Sequence, residues 1–502
     1  MERQLAGTEA TRRHSFRGLG YPWLRERSGV RIVWKCLTLL LLFSCVSPLV
    51  SSLRAQDKGV SSQEFNLTLT GDSEIVTPAM AHQNNPGFAA VTKAVRQGDA
   101  AFTNLELSFP SSPNAYPAGS PRKQWHPTDP ALVKQLQWIG FNLFGAANNH
   151  SMDYGVQGLL DAIQLLKQDG AVYAGIGETL GLARAPGYLS TPHGRVALIT
   201  CASSFPEDSS AGQARPDVGG RPGINPLHHD TTYRVDQATF ESLRRMKQDL
   251  YLRNAPGPSD STRTLGFLLP ASSLYPLAVK FELSDKPGVV TTPDANDLGA
   301  IAHSIRDARA LSDYVVASIH AHEGANGPDP LETPDQFLIQ FAHAAVDAGA
   351  DVVVGSGPHV LRAIEIYKGK VIFYSLGNFI FENWLMVPEP TDFYELYGLG
   401  PGALPSEAYD ARSDHGRRDE PANFLYWQTA IAQVTFRDGR PAVVTLTPAT
   451  TGFGKKAPDQ GYPEVADPAA ATQILERLQK LSQPFGTKIT ISNNVGTITI
   501  PK

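Results

Sequence analysis

Carboxylate, amide and imidazole side chains recur in this 502-residue chain in short clusters, each where an apolar run stops. The clusters are Asp72; Asn104 and Glu106 in Thr103-Asn-Leu-Glu106; Asn148, Asn149, His150 and Asp153; His320, His322 and Glu323; and His359, after Gly355-Ser-Gly-Pro358. A mixed oxygen and nitrogen set of this kind suits a hard or borderline divalent cation such as Mn²⁺, Fe²⁺ or Zn²⁺. One such ion polarises a carbonyl or phosphoryl oxygen and lowers the pKa of water; two ions a short distance apart clamp an attacking and a leaving oxygen. Each cluster alone has a plainer explanation: Asp72 as a cap, Asn148 and Asn149 as turn formers, His320 as a core histidine. Their repetition after successive strands is what points to one shared site. His82, His126, His193, His228, His229, His303, His343 and His415 lack that context and read as surface or structural residues.

Bringing these clusters together requires alternating strands and helices. Phe65-Asn-Leu-Thr-Leu-Thr-Gly71 has the period of two that marks a strand and ends at Gly71-Asp72. Helical spacing follows at 129–140, a strand at 141–145, a helix at 156–170 and a strand at 196–201. Residues 203–294, rich in Pro, Gly and Ser, read as an irregular insertion over the core, a substrate lid with one helix near 238–252. Alternation then resumes: a helix at 297–311, a strand at 314–319, a helix started by a Thr333 cap with Pro334 and Asp335, and strands at 351–354 and 371–374. Hairpins near 430–446 and 488–500 and a helix at 470–481 close the chain. The pattern implies a layered α/β domain with its ligand groups gathered beyond strand ends.

The net charge of −5 is unevenly spread. Nine of the 44 basic residues and three of the 49 acidic ones precede Gln56, so the remainder carries −11. An acidic body argues against a nucleic-acid partner, which needs clustered Lys and Arg, and is compatible with a bound cation. The apolar run Cys36-Leu-Thr-Leu-Leu-Leu-Leu-Phe-Ser-Cys45-Val-Ser-Pro-Leu-Val50 after a basic stretch reads as a secretory leader or membrane anchor within residues 1–55, and the protein as extracytoplasmic. Beyond it Cys201 is the last of three cysteines, which excludes an internal disulfide and a cysteine-based metal site.

Gly71-Asp72, Asn104-Leu-Glu106, Asn148-Asn-His150 with Asp153-Tyr-Gly155, His320-Ala-His-Glu323, and Gly355-Ser-Gly-Pro-His359 through Tyr374-Ser-Leu-Gly-Asn-Phe379 resemble the CapA family. These are poly-γ-glutamate capsule synthesis proteins within the calcineurin-like metallophosphatase superfamily. The resemblance covers about residues 65–381 and implies a two-sheet α/β sandwich flanked by helices. It places the family-type domain at 62–385 and leaves 386–502 as an extension that completes the fold. It implies one or two divalent ions held by Asp72, Glu106, Asn149, His320 and His359, with His150 and its neighbour Asp153 as the catalytic pair. Asn104, Asn148, His322, Glu323, Arg221 and Asn378 remain as substrate contacts or supports of the ligand set. Two departures stand out: the superfamily's Asp-x-His is here Asp72-Ser-Glu74, and its late Gly-His-x-His begins Gly355-Ser356. They leave a single-metal centre open.

Three functions fit. The first is an extracytoplasmic metal-dependent hydrolase or transferase acting on an anionic surface polymer, poly-γ-glutamate or its precursor, with Arg221, Arg362 and Lys368 as candidate receivers of the polymer's charge. The second is a secreted phosphomonoesterase or nucleotidase. The third is a non-catalytic factor in a capsule synthesis or export complex at the membrane.

Overall fold

A computed structural model describes residues 64–501, apart from 120–123, 256–259, 270–276 and 326–330. The expected leader or anchor lies outside the described residues, among which no helix is long and apolar enough to cross a membrane.

Apolar strands with two buried faces dominate the chain. In order, β1 (Phe65–Glu74), β2 (Ala100–Leu105), β3 (Leu143–Gly145) and β4 (Val172–Ala174) build one sheet. A second takes β5 (Gly187–Thr191), β6 (Gly194–Ala202), β7 (Tyr314–His320), β8 (Val352–Ser356), β9 (Ile364–Tyr367) and β10 (Lys370–Phe373). The chain then returns to the first sheet with β11 (Asn378–Phe381), β12 (Gln428–Arg437), β13 (Arg440–Thr450) and β14 (Val495–Thr499). The first sheet runs β14-β13-β12-β1-β2-β3-β4, with β11 joined to the end of β1; the second runs β9-β10-β8-β7-β6-β5.

Side-chain alternation sets the layers. Leu67 and Leu69 of β1 and Phe102 of β2 share one buried cluster with Val196, Leu198, Val316, Val352 and Val354 of the second sheet. The intervening Ala101 and Leu105 face the other way, onto Phe88, Val91, Leu136, Ile139 and Leu159 of helices Pro86–Val95, Leu132–Ile139 and Gly155–Gln168. Beyond the second sheet, Ile199, Val315 and Ile319 meet Ile301, Ile305, Phe337 and Phe341 of helices Ala295–Leu311 and Gln336–Ala348. The fold is mixed α/β, two sheets face to face with helices on the outer sides.

One glycine makes the site possible. β1 pairs antiparallel with β12 over Phe65–Leu69, then parallel with β11 over Asp72–Glu74. At the change of partner, a Cβ on Gly71 would stand 1.7 Å from the Gly377 carbonyl oxygen. The Asp72 amide donates to that same carbonyl at 3.1 Å. Only a residue without a side chain admits so close an approach. A register shift between Asp72 and Ser73 follows, a bulge that re-aims side chains where the pocket opens.

The structure corrects two expectations. The stretch read as irregular holds a four-stranded sheet ordered Thr264–Leu269, Leu277–Leu283, His229–Val235, Gly288–Pro293. Helix Gln237–Asp249 covers it through Phe240 on Leu265 and Phe267. These strands are only partly buried, which blurs their period, and Pro and Gly between them suggest loops. The cap of helix Gln336–Ala348 is Asp335 rather than Thr333. Its carboxylate accepts from the Gln336 amide and the Thr291 hydroxyl, tying the small sheet to the body. Among the described residues of 203–294, Ser204, Phe205 and Pro206 line the cleft described below.

Candidate metal centre

The strands deliver their polar ends to one edge. β1 ends with Asp72 and Glu74, β2 leads into Glu106, β3 into the loop carrying Asn149 and His150, β7 ends at His320, and β8 leads through Gly357 to His359. Two ligand groups form there: Glu106, His320 and His322, and Asp72, Glu106 and His359. Glu106 belongs to both. Its Oε1 lies 3.5 Å from His320 Nε2, 3.9 Å from His322 Nε2 and 3.7 Å from His359 Nε2. Asp72 Oδ1 is 3.7 Å from His320 Nδ1, and its Oδ2 3.8 Å from His359 Nδ1. Ligands bound at about 2.1 Å to one ion stand roughly 3.4 Å apart in a tetrahedron and at most about 4.2 Å apart. The spacings fit a cation.

The unpartnered atoms fit it better still. Glu74 Oε1 and Oε2, Glu106 Oε1 and Oε2, and Asn149 Oδ1 are buried and receive no hydrogen bond. All are acceptors, and a buried acceptor without a donor is costly. A cation satisfies lone pairs, whereas an anion would add to the imbalance. Burial first, and then the Asp72 charge beside them, pushes the Glu74 and Glu106 carboxyls well above their ordinary value. Burial acts in the same direction on Asp72, but the His320 hydrogen bond and charge, His359 and the Gly357 amide outweigh it and hold that carboxyl low. Burial lowers the His359 imidazole, favouring the neutral form that binds a metal. His359 is itself held in a left-handed backbone conformation, φ +58°.

Surrounding groups aim the ligands. Asn104 donates to Asp72 Oδ1 at 2.8 Å and meets His320 Nδ1 at 3.2 Å. Ser356 puts its hydroxyl 3.2 Å from His320 Nδ1. Asn378 Oδ1 meets His359 Nδ1 at 2.8 Å. Glu323 accepts from the hydroxyls of Ser203 and Ser204, and the latter in turn accepts from the His322 amide. Asn148 is fully buried, its amide on the Leu105 carbonyl and its oxygen accepting from the His150 amide, so it braces the turn.

Beside the ligands, His150 Nδ1 lies 2.7 Å from Asp153 Oδ2. The same carboxylate oxygen accepts from the His126 amide at 2.8 Å. The His126 ring stacks flat on His150, centroids 3.4 Å apart and planes within 6°. His126, read from sequence as a structural or surface residue, thus sits inside the site. A cleft of about 940 Å³ opens above, with His126, Asn149, His150, Asp153, His322 and His359 among its lining. Its outer wall comes from the C-terminal part of the chain, including Leu396, Tyr397, Arg412, Arg418 and Glu420. Arg412 is committed to Asn383 and Glu420, and Arg418, on the exposed rim, donates to the Arg412 and Ala411 carbonyls with Asp419 3.7 Å away.

The other basic candidates lie elsewhere. Arg221 is exposed and donates to the Ser210 carbonyl, outside the cleft lining. Arg362 is wholly buried, bonded to the Leu331 and His322 carbonyls. Lys368 pairs with Asp347 on the surface. Glu74, His126, Arg412 and Ser356 are the site residues that sequence reasoning did not select. A signal existed only for Glu74, which follows Asp72 at strand period.

Fold and pocket together define a class: a mixed α/β protein whose strand ends build a carboxylate–imidazole pocket, spaced to hold a metal ion, at the base of a wide cleft. Residues 66–383 match the family described as bacterial capsule synthesis protein PGA_cap, and the chain belongs to it. It is 35% identical to the uncharacterised protein y4uA of Sinorhizobium fredii over 447 residues, 86% of this chain and 93% of that one. To the PGA biosynthesis protein CapA of Bacillus subtilis it is 28% identical over 257 residues, 51% of this chain and 47% of that one. To the capsule biosynthesis protein CapA of Bacillus anthracis it is 26% identical over 252 residues, 50% and 43% of the two chains.

Proposed function

We propose that the chain is an extracytoplasmic, metal-dependent hydrolase or transferase of the metallophosphatase type, acting on an anionic surface polymer of the poly-γ-glutamate kind or its precursor. It would work beside a membrane-bound capsule synthesis or export complex. The observation that carries the reading is the set of five buried acceptor oxygens without donors, next to the imidazoles at the base of the cleft. The facing sheets with outer helices support the metallophosphatase reading of the fold. Family membership and likeness to the Bacillus capsule proteins support the polymer.

Asp72, Glu106, Asn149, His320, His322 and His359 would hold one or two ions of Mn²⁺, Fe²⁺ or Zn²⁺. A bound ion polarises the substrate's carbonyl or phosphoryl oxygen and activates water. The chain's own groups handle the proton. Asp153 is an acceptor, so His150 Nδ1 must carry hydrogen toward it, and Nε2 is the atom through which a proton passes to or from the substrate. Stacking by His126 fixes the plane of that ring.

Elemental analysis of protein purified without chelator tests the reading: one or two transition ions per chain are expected, and a folded, untreated preparation empty of them overturns it. His150→Ala, folded and metal-loaded, should abolish capsule formation in cells; if capsule persists, the chain acts as a non-catalytic assembly factor. The paired His150 and Asp153 favour a second reading, a secreted phosphomonoesterase or nucleotidase. Phosphate release from a generic aryl phosphate with added Mn²⁺ would select it.

A further inference from the structure

A second cavity lies beside the cleft. Its volume, about 480 Å³, is within the roughly 300–1,000 Å³ of small-molecule pockets. Asn383, Arg412 and Glu420 line both cavities, so the two share a wall. One face of the chamber is aromatic. The Trp384 and Trp427 rings stack with centroids 4.9 Å apart, and Phe381 meets both edge to face at 5.4 and 5.5 Å. Phe381 and Trp427 are buried, which leaves Trp384 as the member with surface for a ligand. Its neighbours hold that ring in place, so a ligand lying on it has little to immobilise. The Trp384 Nε1–H is buried without an acceptor, a cost that a ligand oxygen would remove.

The polar groups say what kind of ligand. Ser406 and Gln460 also line the chamber, and their side chains make no hydrogen bond among the described residues. A hydroxyl and an amide there offer both donors and acceptors. Provision for an anion is missing. Arg412 is committed to Glu420 and Asn383, and the other charged groups in the described lining are Asp410 and His415, 3.9 Å apart. A polyanion would meet Asp410 and no uncommitted lysine or arginine. A wholly apolar ligand would leave the indole N–H, Ser406 and Gln460 without partners. The chemistry that fits is an uncharged ring with C–H groups on its face, to lie on the indole, and hydroxyls around its edge. We infer that this chamber binds a neutral sugar unit, at a site separate from the metal pocket. The inference does not depend on the metal-dependent reading above.

The full chain is screened on an array of neutral hexose and N-acetylhexosamine oligosaccharides, with poly-γ-glutamate beside them, and the tightest binder is titrated calorimetrically. A neutral oligosaccharide should bind. Binding should survive chelator, because no residue of either metal-ligand group lines the chamber. Trp384→Phe keeps a ring and removes the N–H, and should weaken binding about two- to tenfold, the worth of one neutral hydrogen bond. Ser406 is exposed on helix Pro405–Arg412, so Ser406→Trp should fill the chamber and abolish binding while the melting temperature holds. Should Trp384→Phe or Ser406→Trp fail to fold, Gln460→Ala, at a partly exposed position, is held to the two- to tenfold loss in its place. An array on which no neutral oligosaccharide is bound overturns the inference, as does binding unchanged in the folded variants. Binding lost on chelation would move the sugar to the metal pocket and overturn the assignment of this chamber. Poly-γ-glutamate bound by the wild type and released in Ser406→Trp would overturn the neutral ligand.

Discussion

Asp153 makes the clearest residue-scale case for chemistry, because a merely structural acid would not need both of its contacts. It is wholly buried and joins the His126 amide to His150 Nδ1 through a single oxygen. In Asp153→Asn, an amide nitrogen turned toward His150 would force Nδ1 to become the acceptor and move the ring hydrogen to Nε2. The metal count should not change, since Asp153 belongs to neither ligand group. Activity, scored as capsule restored in cells or as aryl phosphate turnover, should fall about 10²- to 10⁴-fold, the usual contribution of a positioned acid or base. An unchanged rate would remove His150 from proton transfer. The residues that sequence reading selected and those it passed over differ in a physical way. Asp72, Glu106, His320 and His359 announce themselves by standing where apolar runs stop. His126 and Arg412 do not, because their roles come from contacts across long stretches of chain, His126 on His150 and Arg412 on Asn383.

Elements hold the cleft's outer wall through a buried acid that should make stability depend on pH. Glu389 precedes the short helix Thr391–Leu396 and accepts from the Trp125 amide at 3.2 Å and from Tyr409 of helix Pro405–Arg412 at 3.0 Å. Burial pushes its carboxyl up to about 8. The folded chain therefore holds this proton where an unfolded glutamate, near 4.5, has lost it. Its contribution to stability is full below about pH 4.5 and is lost as pH rises through 8, at most about 1.4 kcal/mol per pH unit. Melting temperature in Glu389→Gln should fall less between pH 5 and pH 8 than in the wild type; parallel curves would refute the assignment. Central strands of the main sheets such as β6, β7 and β8 were legible because strands buried on both faces read as apolar runs, and β7, Tyr314–His320, is one; the short β4, β5, β9 and β11 were not. The small sheet between 229 and 293 was not, because half-exposed strands broken by Pro and Gly lose their period. Helices Thr391–Leu396 and Pro405–Arg412 were missed for a related reason: they are short, and each buries only one residue, Phe393 and Ala408 respectively.

At the scale of the whole molecule, the family match and the folding unit have different limits. The match ends at residue 383, yet β1 finds its antiparallel partner in β12, Gln428–Arg437, pairing Phe65 with Phe436 and Leu69 with Ala432. The core between the sheets also draws Val434, Phe436, Val444, Leu446, Ile474, Leu475 and Leu478 from that later segment. Burying each large apolar side chain contributes about 1.5–3 kcal/mol, so these seven side chains together are worth about 10 kcal/mol or more. That is comparable to the whole net stability of an ordinary domain, about 5–15 kcal/mol. Removing them would also expose the edge of β1 that leads to Asp72 and Glu74, and an unpaired apolar edge invites aggregation. A chain cut to residues 64–385 should therefore be insoluble or lack a cooperative thermal transition, while 64–501 should melt cooperatively. Arg412, Arg418 and Glu420 lie in the segment removed, so the shortened chain would also lose the outer wall of the cleft. A soluble, cooperatively melting 64–385 fragment that still binds Mn²⁺ would show that β1 and its ligands do not depend on β12, and that the strand ends alone assemble the centre.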